Sequence, residues 1–126
     1  DKRRYEEACA SWKEAIRRSR RTNPLGIGSL RQLIAEARLE LGQRRQAMRE
    51  FDHAAKWFHA GRQAHLPAII RDDARLREAS CLAHLGSWLE ATRLLRTVRR
   101  GANRETFAEE LQALSLRFQE LQMRAR

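Results

Sequence analysis

Apolar residues recur along the chain at intervals of three and four, with no sustained two-residue alternation, so every element the pattern predicts is a helix. One spacing occurs three times, as Ala8, Trp12 and Ala15, then Ala47, Phe51 and Ala54, then Ala91, Leu95 and Val98. Positions four and three apart share a helical face, where alanine lets a neighbouring helix approach and the large residue fills the gap beside it. Upstream of the second and third copies stand Leu41-Gly42 and Leu85-Gly86. Glycine closes a helix in the left-handed conformation, so each pair predicts a turn between antiparallel helices.

Period and punctuation together predict six helices. The first carries Tyr5, Ala8, Cys9, Trp12, Ala15 and Ile16 and ends by Asn23-Pro24. The second is expected from a capping box at Ser29 and Gln32, with a stripe of Leu30, Leu33, Ile34, Ala37 and Leu41. Ala47, Met48, Phe51, Ala54, Ala55 and Phe58 form the third, whose end is bracketed by Gly61 and Pro67. Pro67 is suited to open the fourth, which runs through Ile70, Ala74, Ala79 and Leu82 to Leu85. Ser87 and Glu90 predict a reciprocal cap on the fifth, which Gly101 closes, and Asn103 is positioned to cap the sixth. In that last helix Phe107, Leu111, Leu114, Phe118 and Leu121 alternate spacings of four and three, the period of a coiled-coil seam. Such a stripe covers the flank of the preceding helix pair or serves as a dimer seam or docking helix.

The spacing after a Leu-Gly turn resembles the tetratricopeptide repeat, in which helix A and helix B pairs stack into an α-solenoid. On that resemblance the chain is one all-α domain of stacked antiparallel pairs. Residues 1–22 are a lone B-type helix, 29–60 and 67–100 are repeats, and 103–126 is a C-terminal capping helix. The alanine-to-alanine intervals, 39 and 44 residues, exceed the roughly 34 usual in the family. The sequence opens without methionine and inside a repeat, which predicts a piece of a longer protein. The resemblance implies a groove lined by A helices that binds an extended peptide or partner helix. Its candidates here are Gln32, Glu36, Leu39 and Glu40, then Leu76, Ser80, Ala83 and His84. The asparagines of carboxylate-gripping members are missing from these helices.

Charge adds a second theme. Lys and Arg number 26 against 16 Asp and Glu, a net charge of +10. Three arginine groups stand out: Arg17, Arg18, Arg20 and Arg21; Arg44, Arg45 and Arg49; and Arg93, Arg96, Arg99, Arg100 and Arg104. The helix dipole accounts for arginines at helix C-termini, and codon composition is a further source of the bias. Guanidinium forks also suit carboxylate and phosphate. An acidic protein surface is therefore the favoured partner and nucleic acid the alternative, although no recognised nucleic-acid motif accompanies the arginines. Trp57 and Phe58 are adjacent and cannot both face one core, which marks Trp57, with Leu111 and Phe118 of the last helix, as an interface candidate. Trp88 and Tyr5 are expected to be structural.

The chemical inventory points away from catalysis. The chain has no glycine-rich phosphate loop, H-E-x-x-H or G-x-S-x-G. Asp72 and Asp73 are expected near the start of the fourth helix or paired with Arg75 and Arg77. Cys9 and Cys81 lack a CxxC partner, and His53, His59 and His65, six residues apart, share no helical face. No enzyme activity, metal or cofactor is expected. With no run long enough to cross a membrane and no signal peptide, an intracellular, cytoplasmic protein–protein interaction scaffold is the reading, with nucleic-acid binding and dimerisation through the sixth helix as alternatives.

Overall fold

A computed structural model describes residues 1–19 and 23–125, which form six helices and, among the described residues, no strand. They are α1 (Lys2–Arg18), α2 (Pro24–Glu40), α3 (Arg44–Gly61), α4 (Ala68–His84), α5 (Trp88–Arg99) and α6 (Ala108–Ala125). Each of the first five packs chiefly on its neighbours in sequence, and α6 packs on both α4 and α5. The sense is antiparallel from one helix to the next. Arg31 meets Glu50 while Gly28 lies under the Phe58 ring, and Arg62 meets Glu78 while Phe51 stacks on His84.

The turns are built as the Leu-Gly pairs require. Gly42 and Gly86 have φ of 75° and 81°. Gly42 N–H donates to the Leu39 carbonyl and Gln43 N–H to that of Arg38, and Gly86 and Ser87 repeat the arrangement on Ala83 and Leu82. This is a Schellman closure, which satisfies carbonyls left without partners at a helix end.

The recurrent spacing is the core. Ala47, Phe51 and Ala54 are fully buried with Ala35, Ala55, Phe58 and Cys81 between α2, α3 and α4. Ala91, Leu95 and Val98 are buried with Leu76, Ala79, Ala83, Phe107, Leu111 and Phe118 between α4, α5 and α6. In the first copy Ala8, Trp12 and Ala15 are only half-buried, because among the described residues α1 packs chiefly on α2. Tyr5 and Trp88 pack at the edges of the core, as expected of structural aromatics.

Several boundaries differ from the sequence reading. α2 starts at Pro24, and the Asn23 side chain caps it by accepting from Gly26 N–H at 3.3 Å. Ser29 therefore lies inside the helix and caps nothing. The two glycines before it fall outside the expected repeat of residues 29–60, but Gly28 is where α2 and α3 meet closely: a Cβ there would stand 3.1 Å from the Phe58 ring. Ser87 is the N-cap of α5 without a side-chain hydrogen bond, so the reciprocal box with Glu90 does not form. Asn103 does not cap α6, which begins five residues later; its amide donates instead to Asp72 Oδ2 of α4 at 3.0 Å. Asp72 and Asp73 pair with Arg75 and Arg77 at 2.6 and 3.0 Å.

Candidate functional site

Because successive helices reverse, α2, α4 and α6 run in the same sense and present matching levels to one another. Gln32, Ser80 and Ala113 stand at one level, and Glu36, His84 and Arg117 follow four residues on. At the first level α4 forms the floor of a channel with walls from α2 and α6; at the second the lining comes from α1, α2 and Arg117 of α6, with none from α4. At the first level a cavity of about 300 Å³ is lined by Gln32, Leu76, Arg77, Ser80, Glu110, Ala113 and Leu114. At the second, a cavity of about 350 Å³ extends to α1 and is lined by Tyr5, Trp12, Leu33, Glu36, Ala37, Leu39, Glu40 and Arg117. No lining residue comes from α3 or α5.

Beside the first cavity lies an unsatisfied group, out of reach of solvent. Gln32 is 8% exposed, and its carboxamide oxygen is buried without a hydrogen-bond partner among the described residues. Such an acceptor carries the desolvation cost of burial with nothing in return, about 1–3 kcal/mol. Arg77, beside it, is held by Asp73.

The second cavity is electrostatically uneven. Partial burial raises Glu36 above the ordinary carboxylate range, and the cations Arg117 and then Arg77 oppose that shift. Glu36 has no ion pair among the described residues, so Arg117 acts on it from beyond contact range. Burial, helped by Arg117, lowers His84 to about 4, so the ring is neutral at pH 7. It stacks on Phe51 with centroids 4.2 Å apart and planes 7° from parallel. Burial also pushes the Cys81 thiol up, reinforced by the carboxylates of Glu36 and Glu78.

The expected groove residues thus divide. Gln32, Glu36, Leu39 and Ser80 line the channel. Leu76 reaches its floor but is only 2% exposed, a core residue held by α5 and α6, so it presents little surface of its own. Ala83 is buried in the same core, and His84 turns to Phe51. Leu111 and Phe118 are buried against α4 and α5, so the apolar seam of α6 is filled within the chain rather than offered to a partner. Trp57 is half-buried on α3. Sequence reasoning missed Arg117, Ala113, Glu110 and the contribution of Tyr5 and Trp12. The four-residue step of 32/36 and 80/84, carried onto the last helix as 113/117, would have found the α6 wall.

The arginine groups lie elsewhere. Arg17 and Arg18 both bond Glu14, while Arg20 and Arg21 fall outside the described residues. Arg44, Arg45 and Arg49, with Met48, Asp52, His53 and Leu85, surround a shallow depression of about 700 Å³. Arg99 and Arg104 border another of about 520 Å³, where Arg99 bonds the Ser115 hydroxyl. Among the described residues no group of three or more His, Cys, Asp or Glu side chains is placed to hold a metal ion, and no helix is long and apolar enough to cross a membrane. Comparison of the chain with protein-family models, with curated proteins and with solved structures gives no match.

Proposed function

We propose that the chain is a tetratricopeptide-like module, a non-enzymatic scaffold whose channel between α2, α4 and α6 takes an extended segment of a partner protein. The observation that carries this reading is the cavity of about 300 Å³ that α2, α4 and α6 line together, with Gln32, Ser80 and Ala113 on its walls. The Schellman turns, the sequential packing and the final helix lying over the last pair support a stacked-repeat architecture. A scaffold of this kind is rigid before it binds, which keeps the ordering cost of association low. Two free, buried thiols suit a reducing, intracellular setting. The test is selection of binding peptides from a random display library, followed by titration onto Ala113→Trp and Ser80→Trp, which fill the channel. The reading expects both variants to lose the selected peptides while keeping native circular dichroism; peptides that bind both variants undiminished would overturn it.

A second reading has its own observation. Arg44 and Arg45 occupy the first turn of α3, which holds no acid, and the dipole disfavours cations there. Among the described residues one carboxylate, Asp52, borders that depression, and it is held by Lys56 at 2.9 Å. That arrangement favours an anionic partner, an acidic protein surface or a nucleic-acid backbone. Replacing Arg44, Arg45 and Arg49 by glutamine should then abolish binding of duplex DNA, single-stranded RNA or poly-glutamate; retention of all three would remove the reading.

A further inference from the structure

Resting on the channel reading above, we infer that the channel selects a basic segment: an extended peptide whose arginine or lysine side chain enters the cavity formed by Tyr5, Trp12, Glu36 and Glu40. The choice runs against the overall charge of +10, and local chemistry decides it. The second cavity holds two carboxylates and one guanidinium, Arg117, and Glu110 adds a further carboxylate at the first level. Arg77 pairs with Asp73, although its charge still reaches Glu36. The remaining second-cavity walls are the rings of Tyr5 and Trp12 with Leu33, Ala37 and Leu39. Aromatic faces attract cations, most strongly where water is displaced, and apolar walls accommodate the methylene stem of a long basic side chain.

The two cavities have no lining residue in common, but α2 and α6 border both. Gln32 and Glu36 lie about 6 Å apart along the α2 axis, at 1.5 Å per residue. Two residues of extended chain cover about 6.6 Å and return the side chain to the same side. An extended segment crossing the first cavity beside Gln32 therefore places a basic side chain, two residues on, beside Glu36. Arg117 is the chain's own cation at that position, near enough to oppose the Glu36 shift yet outside ion-pair distance. It should compete with the incoming guanidinium.

The probes are short fluorescein-labelled peptides in which serine alternates with arginine, glutamate or leucine, read by anisotropy on the whole chain. The arginine peptide should bind best, weaken about tenfold on Glu36→Gln for loss of one charge-assisted contact, and tighten severalfold on Arg117→Gln. Both substituted side chains are solvent-accessible, so folding should persist, and circular dichroism checks it. Preference for the glutamate peptide with loss on Arg117→Gln overturns the basic assignment. If Ala113→Trp still blocks that peptide, the channel reading survives. Equal binding of all three peptides, or none, also overturns the assignment, and binding unaffected by Ala113→Trp overturns both.

Discussion

Asn103, in the turn before α6, donates its side-chain amide to Asp72 Oδ2 at 3.0 Å, across 31 residues of sequence. Asp72 is buried and accepts from Arg75 through its other oxygen. One carboxylate thus ties the α5–α6 turn to α4 and helps set where α6 lies over the channel. Asp72→Ala strands two polar partners near the core and should cost about 2–4 kcal/mol, with Asn103→Ala costing about 1 kcal/mol. Urea denaturation, with the midpoint and slope recorded for each variant, measures the difference. Equal and negligible effects would show that the tie carries no stability.

Glu78 performs a similar task between α3 and α4. It is buried and meets Arg62 at 2.9 Å and His59 at 3.5 Å. Glu78→Ala leaves the largely buried Arg62 without its carboxylate and should destabilise by about 2–4 kcal/mol. Lys56→Ala breaks an exposed pair with Asp52 and should change stability by less than about 1 kcal/mol. Thermal unfolding of the two variants side by side tests the contrast.

The two turn glycines isolate backbone strain from packing. A Cβ at Gly42 or Gly86 meets nothing within 4 Å, yet both residues have positive φ. Gly42→Ala and Gly86→Ala should therefore each cost about 1 kcal/mol through conformation alone. An Asn at either site, better tolerated in the left-handed region, should recover part of the loss in the same denaturation experiment.

His84 gives the fold an acid-sensitive term. Its ordinary value of 6.5 falls to about 4 in the fold through burial and then through Arg117. Between those values the unfolded chain takes up a proton that the folded chain refuses, so stability falls as pH drops from about 6.5 to about 4. Solvent screening at this half-buried ring limits the loss to about 1–2 kcal/mol. His84→Phe keeps a ring against Phe51 and should remove this part of the slope. An unchanged slope would assign the acid sensitivity to other groups.

The partial burial of Glu36 has its own pH signature in binding. Burial raises its carboxyl, with Arg117 and then Arg77 opposing, while Tyr5 of α1 and Glu40 of α2 line the same cavity. A bound cation favours the ionised form, so affinity for the arginine peptide should rise with pH through that raised value and then level off. Glu36→Gln should flatten the rise in an anisotropy titration across pH. A rise that persists in that variant would locate the controlling group elsewhere.

Much of the helical order was legible because periodicity, Leu-Gly turns and small residues at close approaches are local signals. Phe51 and Leu95 sit in the core where the spacing put them, and Gly42 and Gly86 turn where expected. The start of α2 was obscured because Gly26, Gly28 and Ser29 look like a loop, whereas the Phe58 ring requires the small residue at Gly28. The role of Asn103 was invisible because its partner is fixed only by tertiary packing. The channel was half legible: the α2 and α4 faces followed from the repeat pattern, but Leu76 becomes core only once α6 lies beside it. Arg117, an isolated arginine between leucine and phenylalanine, acquires meaning from the helices opposite.

The most direct measurement of the central claim is a two-dimensional amide NMR titration of the isotopically labelled chain with the arginine–serine peptide. The account predicts saturable shifts clustered at Gln32, Leu33, Glu36, Ser80, Ala113 and Arg117, with Arg44, Arg45 and Arg49 unmoved. Shifts confined to those three arginines, or an absence of saturable shifts along α2, α4 and α6, would contradict it.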